Sequence, residues 1–203
     1  MAVTIGVPAE TAPGEQRVAL VPESAAKLIK GGAAVVVQRG AGIRAGFPDE
    51  AYTKLGATLA DSAAATCANA DVVLHVRRPS ADEVALLKNG ALLIALLQPG
   101  ANGDLPSTLA ARKVSALALE KVPRITRAQS MDVLSSQATV SGYKAVLLGA
   151  GALDKFLPML TTAAGSIRPA NVFIIGAGRI EPAAVVSIGR NLSSAAAPRS
   201  TAL

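Results

Sequence analysis

The feature that most constrains the fold of this sequence is a series of short apolar runs separated by helical patterns. The runs predicted to be buried strands are residues 3–7, 33–38, 71–76, 91–97 and 114–118. The helical patterns between them cover residues 22–30, 49–55, 62–68, 83–88 and 106–112, and Asp49 is expected to cap the second of these. Strands that alternate with helices at this interval predict βαβ units. The sequence therefore predicts an α/β fold with a parallel, Rossmann-like sheet.

The composition argues against several classes of protein. Of the 203 residues, 51% are apolar but only 2% are aromatic, so the core must be built mainly from Ala, Val, Leu and Ile. The formal charge is +6, yet Lys and Arg are scattered. A nucleic-acid-binding protein would combine clustered positive charge with stacking aromatics. We therefore expect a mild attraction for anionic small molecules or for a protein partner.

Cysteine and histidine usage argues against a disulfide framework and against a zinc site. Cys67 and His75 are each the only residue of their type, and metal sites and disulfides need more than one. His75 lies inside an apolar run, where a structural role is expected. The N-terminus does not have the pattern of a signal peptide, and no run is long and apolar enough to span a bilayer. A cytoplasmic or matrix location is expected.

Residues 123–148 are the stretch most indicative of function. Pro123 favours the start of a new element, residues 124–132 form a polar loop, and apolar residues then recur at helical spacing. Asp132 and Ser135 fall in the first turn of that helix, where the helix dipole favours a carboxylate, so a simple cap explains Asp132 taken alone. A wider set of donors and acceptors suits a nucleotide. It consists of Arg124, Arg127, Gln129, Asp132, Ser135 and Gln137.

The phrase RAQSMDVLSSQ closely resembles a loop in the NAD(H)-binding component of proton-translocating nicotinamide nucleotide transhydrogenases. In that family a loop with the pattern RxxxxQxxD lies over the nicotinamide of bound NAD(H). The matching residues here are Arg124, Gln129 and Asp132, with Ser135 beside them. The resemblance implies that the first three act in catalysis by positioning the ring, and that all four bind the cofactor.

The same resemblance implies the setting in which such a chain works. The whole enzyme moves hydride from NADH to NADP⁺, coupled to proton translocation by partner subunits. NADP(H) binds to a partner component, and other components span the membrane. The resemblance further implies a homodimer, peripheral to the inner membrane on its cytoplasmic or matrix face, with no metal and no nucleic acid.

The opening IGVPAETAPGEQRVALVPE resembles the N-terminal domain shared by transhydrogenases and alanine dehydrogenases. In that wider family, basic residues matching Arg17 and Arg77 face the interdomain cleft, and in alanine dehydrogenases they hold pyruvate beside an acid–base histidine. Gln98 stands where that histidine is expected, and glutamine cannot shuttle a proton at neutral pH. Alanine dehydrogenase-like chemistry is therefore an alternative that we expect to be absent. Arg78, next to Arg77, is expected to face solvent.

A second nucleotide-binding motif is predicted after a helix over residues 145–159. A strand over residues 171–175 leads into Gly176 and Gly178, whose lack of a side chain would let the backbone approach a pyrophosphate. The third glycine of such a fingerprint should fall at Glu181, where a carboxylate would repel the pyrophosphate. The resemblance thus covers the chain to about Gly178 and then stops.

These patterns divide the sequence into three segments. Residues 1–145 are predicted to be the family's N-terminal domain, residues 146–178 the incomplete start of an NAD-binding domain, and residues 179–203 an irregular tail. We expect a truncated chain that binds NADH weakly or not at all, with the strand at residues 172–175 lacking sheet neighbours. A non-catalytic fragment that binds no nucleotide is the second alternative.

Overall fold

A computed structural model describes residues 2–100, 103–174 and 185–187. It divides the chain into two compact units, Met1–Met131 and Asp132–Leu203, which are described separately below. The two units differ in the way in which their apolar residues are buried.

The first unit is built on a six-stranded sheet in the order β3-β2-β1-β4-β5-β6. All five strand pairs are parallel. The strands are β1 (Thr4–Val7), β2 (Ala34–Gln38), β3 (Thr58–Ala60), β4 (Val72–Leu74), β5 (Leu92–Ala95) and β6 (Ser115–Ala118). The predicted parallel α/β fold is confirmed, and all carboxyl ends of the strands lie at one edge of the sheet, called here the carboxyl edge.

Five helices connect these strands, and local capping explains where several of them begin. They are α1 (Pro22–Lys30), α2 (Asp49–Thr53), α3 (Ala63–Cys67), α4 (Ala81–Ala85) and α5 (Leu105–Ala111). The hydroxyl of Ser62 accepts a hydrogen bond from the amide of Ala65 at 3.2 Å. Ser80 and Glu83 form a reciprocal capping box, which starts α4 two residues before the predicted position.

Two local predictions in this unit are wrong. The short strand β3 was not expected, because Thr58–Ala60 carries only one large apolar side chain. Asp49 does not cap α2, since Pro48 occupies the cap position and Asp49 lies in the first turn. Its carboxylate instead accepts a hydrogen bond from the amide of Gly40 at 2.8 Å, which fixes the loop after β2.

The core of the first unit consists of two buried clusters. One cluster includes Val73 and Leu93, and the other includes Val7, Val37 and Tyr52, all of which are fully buried. The Tyr52 hydroxyl donates to the carbonyl of Leu20 at 2.9 Å, and burial raises its pKa to about 12. The small, branched side chains thus build a dense interior with little aromatic surface.

Close packing between β1 and α3 depends on the absence of a side chain at Gly6. A Cβ atom at Gly6 would lie 2.7 Å from the carbonyl oxygen of Thr66 and 2.9 Å from the Cβ of Ala70. Cys67, on the same helix, is 2% exposed, and burial raises the pKa of its thiol to about 11. The predicted lone, unpaired cysteine is therefore a core residue.

The second unit begins with the long helix α6 (Val133–Gly151), which is followed by two antiparallel strand pairs. The first pair is β7 (Leu160–Thr162) with β8 (Gly165–Ile167), and the second is β9 (Val172–Ile174) with β10 (Val185–Ser187). The helix predicted over residues 145–159 is wrong beyond Gly151, because α6 ends there. The expectation that the strand near residue 172 lacks neighbours is also wrong, since β10 pairs with β9.

In the portion of the chain that the structure describes, no helix combines the length and the apolar character that crossing a membrane requires.

Candidate functional site

The polar 124–132 segment follows the carboxyl end of the edge strand β6. After β6 ends at Ala118, one 3-10 helix spans Leu119–Lys121 and a second spans Thr126–Met131. Because β6 is parallel to the other strands, the chain leaves it at the carboxyl edge, where open α/β sheets bind their ligands. This origin agrees with the predicted position of the segment.

The polar side chains of this segment are exposed around one buried anchor. Ala128 is 8% exposed, whereas Arg124, Arg127 and Gln129 are all exposed. Within the described residues of the first unit, these three side chains form no ion pair and no hydrogen bond. Their guanidinium and amide groups therefore remain available to a ligand.

Asp132 and Ser135 belong to the second unit, where they begin α6. Asp132 is the N-cap residue, and its Oδ1 accepts a hydrogen bond from the amide of Ser135 at 2.9 Å. The Ser135 hydroxyl donates to the other carboxylate oxygen, Oδ2. The interpretation of Asp132 as a simple helix cap is thus realised, and the cap brings the two predicted cofactor-binding residues together.

The structure does not bring together every residue predicted for the site. Arg124 and Gln129 lie on one exposed segment without touching each other through a hydrogen bond. Gly176 and Gly178 lie outside the described residues. The roles assigned to all six residues therefore stay predictions.

A buried carboxylate, Glu10, ties two strand ends together at the carboxyl edge. Glu10 follows β1 and is 4% exposed. It accepts hydrogen bonds from the amides of Val76 at 2.6 Å and Arg77 at 3.2 Å, both just after β4. Its Oε1 also lies 3.3 Å from Nδ1 of the buried His75. His75 is therefore a partnered structural histidine, as its position in an apolar run predicts.

A second carboxylate, Glu15, holds the two arginines expected at the cleft. Arg17 donates to Glu15 through Nε and Nη2, each at 2.8 Å, and Nε of Arg77 lies 3.7 Å away. The Arg17 guanidinium lowers the pKa of Glu15 from its ordinary value of 4.5 to about 2, and the charge of Arg77 acts in the same direction. Glu15 is nearly buried, while the side chains of Arg17 and Arg77 are 38% and 51% exposed. The cluster thus presents positive charge at the carboxyl edge.

Gln98 occupies a left-handed backbone conformation after β5, with φ of 48°. Its amide and that of Leu97 both donate to the carboxylate of Glu120, which follows β6. A non-glycine residue rarely adopts this conformation without support from its surroundings. The turn that carries Gln98 is therefore held by Glu120.

The sequence interpretation missed Glu10, Glu15 and Glu120 as organisers of this edge. Each is an acidic residue within a few positions of a strand end, but acidic residues are usually exposed, so the sequence alone favours solvent for them. The expectation for Arg78 is also wrong, because its side chain is half-buried rather than directed freely into solvent. Among the described residues, no cluster of three His, Cys, Asp or Glu side chains could hold a metal ion.

Comparison with protein families identifies two matching models. The alanine dehydrogenase/PNT N-terminal domain matches residues 6–141, and the corresponding C-terminal domain matches residues 145–192. The first match spans most of the sheet and its carboxyl edge, together with the 124–132 segment and the first half of α6.

Individual relatives agree with this match. An NAD(P) transhydrogenase alpha subunit of Rhodospirillum rubrum is 46% identical over 179 residues, covering 86% of this chain and 47% of the relative. An alanine dehydrogenase of Halomonas elongata is 34% identical over 189 residues, covering 91% of this chain and 50% of the relative. The chain therefore spans about half the length of these relatives.

Solved structures give the same two neighbours. The crystal structure of a transhydrogenase from Sinorhizobium meliloti aligns with a TM-score of 0.75 at 46% identity, covering 82% of this chain and 50% of that one. An L-alanine dehydrogenase structure aligns with a TM-score of 0.68 at 32% identity, covering 73% of this chain and 40% of that one. The two neighbours share the parallel α/β architecture described above.

Proposed function

The chain belongs to the alanine dehydrogenase/PNT family, and from that premise we propose that it provides a portion of the NAD(H)-binding component of an NAD(P) transhydrogenase. The observation that carries this proposal is the identity of 46% with a transhydrogenase alpha subunit, against 34% with an alanine dehydrogenase. In the assembled enzyme, hydride would pass from NADH on this component to NADP⁺ on a partner, coupled to proton translocation.

Arg124, Gln129, Asp132 and Ser135 are the residues proposed to hold the dihydronicotinamide. The exposed guanidinium and amide of the first two suit the carboxamide and ribose of the cofactor. The other two offer a carboxylate and a hydroxyl at the start of α6. Because hydride transfer between two nicotinamides needs no acid–base residue, these side chains would act by positioning the rings.

The proposal extends to domains and partners. We propose that the family's N-terminal domain spans residues 1–145 and that residues 146–178 begin the nucleotide-binding domain, with Gly176 and Gly178 at the pyrophosphate. The partners would be a second copy, an NADP(H)-binding component and membrane-spanning components. The chain would then lie on the cytoplasmic or matrix face of the inner membrane, attached through those partners.

Binding by the 203-residue chain alone is expected to be weak. Glu181 stands where the fingerprint requires its third glycine, and a carboxylate next to a pyrophosphate is repulsive. Each charge-assisted hydrogen bond that is lost weakens binding by about 1.5–3 kcal/mol, so affinity is expected near the millimolar range. Micromolar binding by the chain alone would contradict this expectation.

The test is ligand-detected NMR with NADH, which reads weak binding directly. Saturation transfer from the chain to the nicotinamide protons is expected for the wild type and is expected to fall severalfold in Arg124→Ala and Gln129→Ala. Arg127→Ala is the matched control, because Arg127 is an equally exposed arginine of the same segment outside the RxxxxQxxD pattern. Equal loss in the control, or no transfer to nicotinamide in any variant, would favour a fragment that binds no nucleotide.

An alanine dehydrogenase-like reaction is the alternative that the Arg17–Glu15–Arg77 cluster and the 34% relative support. Such a reaction needs a proton shuttle where Gln98 stands. We expect no NADH oxidation with pyruvate and ammonia, either in the wild type or in a chain assembled with transhydrogenase partners. Activity that appears only in Gln98→His would identify that position as the missing acid–base group.

A further inference from the structure

A cavity of about 330 Å³ lies in the first unit between α5 and the edge strand β6. Leu97, Leu105, Leu109 and Val114 form its larger walls, and the small residues Ala116 and Ala118 of β6 leave the space open. The volume is in the range of sites that bind small organic molecules. Its walls are apolar except at one position.

That position is Arg78, the single charged side chain that lines the cavity among the described residues. Arg78 is half-buried, and no carboxylate of the described residues pairs with it. By contrast, Arg17 and Arg39 each pair with an acidic side chain, at 2.8 Å and 3.0 Å. A guanidinium that is partly removed from water and has no carboxylate partner favours an anionic ligand.

The backbone at Gly103 makes room for this guanidinium. A Cβ atom at Gly103 would lie 2.7 Å from Nη2 of Arg78, which is closer than real Cβ contacts. Gly103 also has φ of 146°, a conformation that side-chain-bearing residues avoid. The loop before α5 thus lets Arg78 lie against it, next to the apolar walls.

We propose that this cavity binds a small amphiphilic carboxylate, with its oxygens on Arg78 and its hydrocarbon body against α5 and β6. A planar carboxylate can accept two hydrogen bonds from one guanidinium, which is the strongest pairing available to Arg78. Taking about 30 Å³ as the share of one water molecule, the cavity holds a ligand on the order of ten non-hydrogen atoms. The site includes none of the residues proposed for NAD(H) and does not depend on that function.

The probe for this site is octanoate, whose eight carbons and one carboxylate match the size and the charge. It would be titrated into the ¹⁵N-labelled 203-residue chain while amide shifts are followed by NMR. We expect saturable shifts at Leu97, Leu105, Leu109 and Val114 with a Kd of about 1 mM or tighter. Arg78→Ala should weaken octanoate binding by about tenfold or more, whereas 1-octanol should bind the wild type and this variant equally.

Two further variants test whether the ligand occupies the cavity itself. Ala116→Leu should fill the space and abolish binding while keeping the charge, and its folding is checked by circular dichroism. Arg39→Ala removes an arginine after β2, toward the opposite end of the strand order, and should leave the affinity unchanged. If Ala116→Leu does not fold, the comparison of octanoate with octanol in Arg78→Ala still decides.

Three results would overturn the proposal. The first is the absence of saturable shifts at the cavity residues, and the second is an octanoate affinity that Arg78→Ala does not change. The third is a change in solution mass in Ala116→Leu, measured by light scattering, because it would mean that a second copy of the chain occupies this face.

Discussion

The two units of this chain have similarly apolar sequences but bury them to different extents. In the first unit, helices and a six-stranded sheet enclose two clusters of fully buried side chains, including Val73 and Leu93. In the second, the buried residues that α6 contributes are Gly142 and Gly149, while Val140 and Leu148 are 65% and 62% exposed. An apolar sequence therefore becomes a core only where a second layer of structure covers it.

The difference extends to polar groups. At the carboxyl edge of the first unit, Glu10, Glu15 and Glu120 each accept hydrogen bonds that fix a strand end or an arginine. In the second unit, the corresponding interaction is the cap at Asp132, which is local to one helix turn. Long-range ties of this kind make the first unit the more cooperative half of the chain, and the experiments below test that difference.

The largest effect is expected from truncating one leucine in each unit. Leu93→Ala removes a fully buried side chain between β4 and β6 and should lower the free energy of unfolding by about 2–5 kcal/mol. Leu148→Ala makes the same chemical change at a position that is 62% exposed and should change it by less than about 0.5 kcal/mol. Urea unfolding followed by circular dichroism measures both. Equal losses would contradict the contrast in burial.

A smaller effect is expected at the buried carboxylate of Glu10. Glu10→Gln removes a charge that accepts from two backbone amides and lies beside His75, so the free energy of unfolding should fall by about 1–3 kcal/mol. Glu50→Gln is the control, because Glu50 is exposed on α2. Similar stability of the two variants would show that Glu10 does not hold the carboxyl edge together.

The pH dependence of stability should expose the contribution of Glu15. Because the pKa of Glu15 falls from 4.5 to about 2 on folding, its stabilisation is complete above pH 4.5 and is lost as the pH falls toward 2. We expect about 1–2 kcal/mol, since the partly exposed guanidinium of Arg17 is screened by solvent. The difference in stability between wild type and Glu15→Gln should shrink over this window. A difference that stays constant from pH 6 to pH 2 would exclude this role.

The smallest effect is expected at the cap of α6. Asp132→Ala removes the acceptor for the amide of Ser135 and should cost about 1 kcal/mol, with loss of helical signal near residues 133–136. Ser136→Ala is the control, because the Ser136 hydroxyl only donates to a carbonyl within the helix. Amide hydrogen exchange at the start of α6 reports the change. Unaltered exchange in Asp132→Ala would mean that the cap does not stabilise the helix.

The sequence was sufficient for the parallel sheet because each strand except β3 is an apolar run bounded by turn residues. It was insufficient for β3, whose pairing with β2 comes from tertiary context rather than from its own residues. The hairpin of β7 and β8 was missed for the same reason, since its short strands alternate only weakly. Length and burial of an element thus decided whether its sequence revealed it.

Prediction of the candidate site depended on a different kind of signal. The polar 124–132 segment and the cap pair Asp132–Ser135 are visible as local patterns, and the structure realises the cap. The hydrogen bonds from residues after β4 to Glu10, and from residues after β5 to Glu120, join positions 66 and 23 residues apart. No local pattern contains such pairs, so the framework around the site emerged only from the folded sheet.

The burial of Cys67 gives this chain a built-in reporter of its own opening. As the only cysteine of the chain, 2% exposed and with a thiol pKa of about 11, it is shielded from a water-soluble disulfide reagent in the folded state. Because the reactive species is the thiolate, labelling requires the packing of α3 against β1 to open. The rate of labelling therefore clocks excursions of the first unit from its native state, without any engineered probe.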